Sequence, residues 1–554
     1  MSLGKWRTYV RVTSVAILAL VLTSPAWSQT DAARITGTVS DTTGAVIPGV
    51  TVMIKSEKTG EERTVTTNER GVYMATPLLP TTYSVTARSE GLTPAEYKGI
   101  ALQIGQEKTV NITMQVLGVA TEVTVSGGDL TAIDTSSARV GVNVSEREVA
   151  QLPLNGRQIS QLYLMAPGAV VNGAGTFDDV RFSGRANEQN AIRFDGVEGT
   201  SIVDASPGNL NGETSSSFRL QASMENVQEF RVESSNYPAE YGTGTGGQIS
   251  IVTKSGSNAF HGSLFEYLRN DGLDARNFFD TAKSKMRLNQ FGGSVGGPLK
   301  KENAFFFASY EGLRQRTGIP FVETTPSASA WARAVPAIQV LRPAFPIGQE
   351  PSANPDFDVV RVTGKNVIDE DAGSLRLDYS LSDKYKLYAR YFRTQADQFV
   401  HQNSSLSAYA VTAVPQNAVL SFQQILSPAI INETKFGYNG TKTRINGIAP
   451  TVPGVDLSGV ALNLTGSVAL SGIAGQAGSA GIAIPTGLVR ANSATNGRGQ
   501  PYTNYTLSFI DNLTVIHGSH TMKFGGEVRP VRMYTDRQGG TTYTFSNISS
   551  FLSN

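Results

Sequence analysis

Gly242-Thr-Gly-Thr-Gly-Gly247 satisfies the G-x-G-x-x-G spacing that cradles a dinucleotide pyrophosphate. That chemistry needs a helix N-terminus after the glycines, because its free N–H groups receive the phosphate. Gln248-Ile-Ser-Ile-Val-Thr253 follows instead and reads as a strand. The glycines therefore predict a tight backbone passage, with close approach and positive φ, and no nucleotide site. His517 and His520, in His-Gly-Ser-His, are the next candidates, as a metal pair. No carboxylate stands beside them, and their spacing fits a turn between two strands. Asp178 and Asp179 are adjacent acids, too few for a calcium shell. The chain contains no H-E-x-x-H zinc motif and no cysteine. Asp195 follows Ile192-Arg-Phe194 and precedes Gly196, and is expected to cap a turn. No catalytic residue, metal site or cofactor is expected, and the chain reads as a protein that is not an enzyme.

The elements that must position these residues are mostly strands. The 554 residues carry 47 basic and 46 acidic side chains, so no basic field argues for nucleic acid. Charged residues make up only 17%, and the 56 glycines suit a β-rich chain with many turns. Lys5, Arg7 and Arg11 precede an apolar run over residues 12–23, and Ala26-Trp27-Ser28 offers a cut before Gln29. The run is shorter than the about 20 residues a spanning helix needs, so residues 1–28 read as a secretory signal peptide.

Residues 29–117 read as a β-sandwich of six or seven short strands, at 34–40, 50–54, 62–67, 72–74, 83–87 and 108–116. Within it, Gly37-x-Val-x-Asp-x-x-Gly-x-x-Ile-Pro-Gly-Val50 and Asn68-Glu-x-Gly-x-Tyr73 resemble the carboxypeptidase regulatory-like domain, a name that implies no peptidase activity.

Residues 118–258 mix helix and strand and read as a small α+β domain. Ser145 and Glu148 fit a capping box, residues 158–165 have helical spacing, and residues 224–232 pass from helix to strand. Leu152-Pro-Leu-Asn-Gly-Arg157, Phe194-Asp-Gly-Val197 and Glu240-Tyr-Gly-x-Gly-x-Gly-Gly-x-Ile-x-Ile-Val-Thr-Lys254 resemble, in order and spacing, the plug of TonB-dependent outer-membrane receptors. The resemblance makes Asp195, Gly196, Tyr241, Gly242, Gly246, Gly247, Thr253 and Lys254 structural plug residues, with the glycine passage against the barrel wall. Thr121, Glu122, Val123, Thr124 and Val125 resemble a TonB box, which pairs as an added strand with the periplasmic coupling protein. An ordinary linker strand remains the alternative there.

Residues 259–554 carry about nine strand candidates, at 263–269, 290–295, 304–312, 374–381, 384–394, 418–425, 433–441, 505–515 and 521–529. Leu375, Leu377, Tyr379 and Leu381 alternate with Arg376, Asp378 and Ser380. Tyr385, Leu387, Ala389 and Tyr391 alternate with Lys384, Lys386, Tyr388 and Arg390, and such dyads mark antiparallel transmembrane β-barrel strands. Phe305-Phe306-Phe307 and residues 388–392 then belong to an aromatic girdle, with sugar stacking as the alternative. Plugged transporters close at about 22 strands, and residues 320–369 and 444–501 look irregular. An incomplete barrel, a C-terminally truncated chain and no pore from this segment alone are therefore expected.

The whole reads as mainly β: sandwich, plug, then part of a barrel. The resemblance, closest to the Oar-like subgroup, implies a Gram-negative outer-membrane importer. Its N-terminal domain would be periplasmic, and its partners would be TonB with its inner-membrane energising proteins, membrane lipid and an unidentified extracellular substrate. A surface or structural protein for adhesion or envelope organisation, on the same frame but without import, is the rival. A periplasmic enzyme is a third class.

Overall fold

The computed structural model describes residues 33–116, 123–126, 139–154, 157–171, 180–200, 218, 223–238, 240–276, 283–401, 408–427, 429–448, 451–457, 460–464, 499–517, 520–536 and 541–553. The expected signal peptide lies outside them.

Ten strands build the sandwich: β1 (Ala33–Asp41), β2 (Thr51–Ser56), β3 (Glu62–Thr66), β4 (Val72–Leu78), β5 (Thr81–Arg88), β6 (Leu92–Thr93), β7 (Ala95–Leu102), β8 (Glu107–Thr109), β9 (Ile112–Val116) and β10 (Val123–Ser126). One sheet runs β4-β1-β9-β6, with β8 also on β1, and the other runs β10-β7-β5-β2-β3. Period-two alternation of β-branched and polar residues puts Ile35, Val39, Val52, Ile54, Val85 and Ile112 between the sheets. Tyr73 joins that core, where its hydroxyl donates to the Val110 carbonyl at 2.7 Å. The strand β7 is absent from the sequence-based set; its run Ala-Glu-Tyr-Lys-Gly-Ile-Ala-Leu is interrupted by Gly99, at φ 71°.

The second unit holds β11 (Val140–Val144), α1 (Glu146–Gln151), a 3-10 helix over Ile159–Met165, β12 (Ala169–Val171), β13 (Val180–Phe182), β14 (Ala191–Phe194), β15 (Val197–Glu198), β16 (Val227–Ser235) and β17 (Gln248–Thr253). Its main sheet runs β11-β16-β17-β14-β15. The expected capping box is present at α1, Ser145 and Glu148 satisfying each other's backbone N–H groups. A 3-10 turn at Met224–Asn226 leads into β16, the expected helix-to-strand passage.

All nine expected wall strands form: β18 (His261–Asn270), β19 (Met286–Lys300), β20 (Ala304–Pro326), β22 (Phe357–Ser382), β23 (Tyr385–His401), β24 (Ala408–Ser427), β25 (Ile430–Ile448), β27 (Gly499–His517) and β28 (His520–Val528). They lie in chain order in one antiparallel sheet, with the two-residue β21 (Glu350–Pro351) beside β22. The short strand β29 (Val531–Thr535) pairs with β27 just beyond β28. Pro530, which lacks an N–H, interrupts the run between them.

These strands are longer than expected. Residues 320–369 are not an irregular stretch: β20 continues to Pro326 and β22 begins at Phe357 with 26 residues. Between them sit α2 (Ala328–Ala332) and α3 (Pro336–Gln339). Likewise β25 reaches Ile448 and β27 begins at Gly499, so residues 444–501 are strand at both ends. A strand needs only about 9–11 residues to cross a bilayer, so β20 and β22 extend well beyond one. At that extended end Trp331, Phe345, Phe357 and Phe551 make a small core with α4 (Ile548–Ser553). There β26 (Val460–Leu464) pairs with β30 (Thr541–Phe545).

The wall is inverted relative to a soluble protein. Leu375, Leu377, Tyr379 and Leu381 are 42–52% exposed, while Arg376 between them is 3% exposed. Gln290, Glu311, Arg390, Asn417 and Lys435 are buried on the same inner face. An apolar outside and a polar inside is the pattern lipid demands of a barrel strand. Among the described residues no helix is long and apolar enough to cross a membrane.

Candidate functional site: the interface between plug and wall

The hairpin β14–β15 aims the first functional side chain. Asp195 sits at its turn with φ 52°, and Gly196 follows at φ 81°. Asp195 does more than cap that turn. Its carboxylate accepts from the Thr253 N–H and hydroxyl, both at 2.9 Å. Arg390 Nε lies 3.0 Å from one oxygen and Arg376 Nη1 3.5 Å from the other. Both arginines come from the wall. Arg390 also donates to Asn417 Oδ1 at 2.6 Å, and Arg376 to the Thr253 carbonyl at 3.0 Å. Burial alone would push the Asp195 carboxyl up; Arg390, Arg376 and Thr253 outweigh it and hold it below the usual carboxylate range. Asp195 is thus an ionised centre shared by plug and wall.

Further polar contacts extend the interface on both sides of Asp195. Arg157, at φ 53°, places its guanidinium 4.5 Å and 4.6 Å over the Phe265 and Tyr267 rings of β18. It pairs with Glu225 of the plug at 2.9 Å and approaches Glu311 of β20 at 3.7 Å. On the other side Asn417 donates to the Glu198 carbonyl and Asn439 to the Thr200 carbonyl, each at 2.9 Å. Arg529 pairs with the Glu198 carboxylate. At Gly437 an added Cβ would fall 2.3 Å from Val197, so the hairpin lies directly on β25. A cavity of about 120 Å³ opens beside the Asp195 cluster, bordered by Leu79, Arg376, Lys386, Tyr388 and Lys435.

The glycine passage is placed differently from expectation. Its glycines pack within the plug, while Glu240 just before them pairs with Lys523 of the wall at 3.0 Å. A Cβ on Gly246 would meet Asn190 Oδ1 at 2.5 Å, and one on Gly247 would meet the Phe182 ring at 2.3 Å. The Gly247 N–H donates to Asn190 Oδ1 at 2.8 Å. Gly242 has open space around it, and the positive φ falls at Gly244. The strand β17 follows directly, so no helix N-terminus awaits a phosphate. Tyr241 packs edge-on against Tyr237 and lies under the Arg193 guanidinium at 5.5 Å. Lys254 reaches Glu146 at 3.9 Å. His517 and His520 face each other as the last pair of the β27–β28 ladder. Among the described residues no three His, Asp or Glu side chains gather as metal ligands; Asp178 and Asp179 lie outside them.

Thr121 and Glu122 also lie outside the described residues. Val123, Thr124 and Val125, expected between sandwich and plug, form β10. It pairs in parallel with Ala95, Glu96 and Tyr97 of β7, at the end of that sheet.

Sequence reasoning put Arg376 and Arg390 on the polar face of their strands but did not see their partner. Nothing local in β22 or β23 signals an acid 181 or 195 residues away.

The joint between sandwich and plug has its own titrating group. Glu229 on β16 is buried and accepts the Ile104 N–H of the sandwich. Burial pushes its carboxyl up to about 7, against an ordinary 4.5. Between those values the closed joint holds a proton that an open joint does not. Its stability is therefore full below about 4.5 and lost as pH rises through about 7, by at most about 3 kcal/mol. Hydrogen exchange at Ile104 should accelerate over that window, and Glu229→Gln should flatten the profile. Equal pH dependence in the variant would refute the assignment.

The comparisons with known proteins agree with this architecture. Residues 252–341 and 331–553 match the outer membrane beta barrel domain, and residues 34–115 match the carboxypeptidase regulatory-like domain. The first match spans more than half of the chain, which therefore belongs to the outer-membrane β-barrel family. The TonB-dependent transporter Oar of Myxococcus xanthus is 29% identical over 323 residues, covering 54% of this chain and 28% of that protein. The chain thus spans under a third of that relative. Among solved structures, the Escherichia coli outer membrane transporter YddB is 15% identical, with a TM-score of 0.49 over 73% of this chain and 50% of its own. The Escherichia coli ferric-catecholate import receptor Fiu, in its closed form, is 14% identical, with a TM-score of 0.38 over 72% and 57%.

Proposed function

We propose that the protein is an energised outer-membrane receptor that binds a substrate outside the cell and imports it with force delivered by TonB. The reading rests on one observation: a plug held to a lipid-type wall through buried ion pairs and amide contacts centred on Asp195. Water can replace those polar contacts when the plug moves, alongside the apolar ones of Val197 with Val419 and Ile510 and of Phe194 with Phe392. On this reading residues 1–28 are the export signal, 29–117 a periplasmic sandwich, 118–258 the box and plug, and 259–554 barrel. The short turns between wall strands then face the periplasm and the long connections face outward. Thr121 to Val125 is the element TonB grips; β10 supports this as an extended edge strand to which another strand can add. Oar's own name lends support at the level of class.

The test is accumulation of ligand by intact cells. It should stop when the inner-membrane proton gradient is collapsed or TonB is removed, while surface binding persists. Accumulation or adhesion indifferent to both would favour the structural role.

A further inference from the structure

The sandwich reaches the wall as well as the plug, at the end that carries the short turns. Its β2–β3 turn enters between them. Asn258, where the plug passes into the wall, donates its side-chain amide to the Thr59 carbonyl and its N–H to the Lys58 carbonyl. The same side chain accepts the Glu302 N–H at 2.7 Å, from the turn between β19 and β20. Glu61 pairs with Lys386 at the start of β23, and Lys58 with Glu146 of α1 at 3.4 Å. Farther along, the Thr521 hydroxyl of β28 donates to Met74 Sδ of β4 at 3.0 Å. The contacts thus run from the β19–β20 turn to β28, across most of the described wall.

The turn between β4 and β5 lies against the plug. Gln228 of β16 donates to the Pro80 carbonyl at 2.7 Å. Thr59, Glu61, Leu79 and Pro80 form one side of the cavity described above, which Asp195 and Arg376 also line. The sandwich therefore roofs the seam between plug and wall. Its hold there is polar and partly wet: Glu61 and Lys386 are 34% and 20% exposed, Glu146 and Lys58 47% and 36%. Such pairs exchange their partners for water at little cost. Among the described residues no buried apolar cluster joins the sandwich to the wall.

We propose that the sandwich is a releasable latch over the short-turn mouth of the barrel. Docked, its β2–β3 and β4–β5 turns close the seam beside Asp195, and the sandwich must leave the wall before the plug can move. A small set of polar contacts holds it, so the latch is a two-state element that a modest bias can shift. A pull on residues 121–125 reaches the latch first, because Val123–Val125 is a strand of its sheet. That use of the latch rests on the import reading given above; the closure itself does not.

The experiment has two arms, both on the intact protein. Ser421 is 2% exposed on the wall side of the cavity, and this sequence has no cysteine, so Ser421→Cys places a reporter thiol there. A water-soluble maleimide should label it slowly. Lys58→Glu with Glu61→Lys sets like charges against Glu146 and Lys386 and should speed labelling at least about tenfold. Adding Glu146→Lys and Lys386→Glu should restore the slow rate, which also verifies that the inverted turn folds. Equal labelling in the inverted and parent proteins overturns the latch, and fast labelling that the reciprocal inversion leaves unchanged overturns the assigned pairs. In the second arm Glu61→Cys and Lys386→Cys are joined in cells by a short bis-maleimide with an internal disulfide. Accumulation of ligand should stop, surface binding should persist, and reduction should restore accumulation. Accumulation through the joined protein overturns the latch and leaves the import reading standing. No accumulation before joining or after reduction, with the labelling as expected, defeats the import reading and supports the closure.

Discussion

Asp195→Asn in the intact protein should loosen the plug from the wall. The substitution keeps the size of the side chain and removes its charge. Arg376 and Arg390, 3% and 2% exposed, would then share a buried site with no acid between them at Asp195. Arg376 retains Asp378 at 2.9 Å, so Arg390 bears most of the loss. Breaking a buried pair by removing one partner costs roughly 3–5 kcal/mol. Protection of the β14 and β17 amides against hydrogen exchange should therefore fall about a hundredfold or more, and large antibiotics should enter cells faster. Adding Arg390→Met should restore much of the protection, because Arg376 keeps Asp378 and the cation left without its acid is gone. Unchanged protection in Asp195→Asn alone would mean that Asp195 does not hold the plug.

Removal of residues 121–125 from the full-length protein should abolish uptake and spare surface binding. Substrate contacts belong, on the proposed reading, to the far side of the plug, whereas this segment belongs to the coupling side. Its described part, Val123–Val125, pairs in parallel with Ala95–Tyr97 of β7. Strand addition depends on N–H and C=O groups more than on side chains. Val123→Pro with Val125→Pro should thus match the deletion without shortening the chain, since proline removes two N–H donors. Full uptake by either variant would exclude this segment as the box and return β10 to an ordinary edge strand.

The elements were largely legible in the sequence, for reasons that act over a few residues. Alternation in 375–381 follows from the two-residue period of a strand. The capping box at Ser145 and Glu148 closes within one helical turn. Asp195-Gly196 suits positive φ, and Gln248 to Thr253 reads as strand whatever precedes it. The same local signals erred where regularity depends on neighbours. Residues 357–369 look irregular, yet β20 pairs with them throughout and β23 from Asn366 onward.

By itself, then, the sequence determined the class of each segment: sandwich, mixed small domain, and alternating wall strands with apolar faces outward. Only the tertiary structure decided which inner charges meet. Register across the wall brings Arg376 and Arg390 to one acid far behind them in the chain, and seats Gly246 and Gly247 on Asn190 and Phe182 instead of on the wall. A period of two tells a residue which face to occupy. It contains nothing about the partner waiting there, because that partner is set by hydrogen-bond register between strands and by how the plug sits inside them.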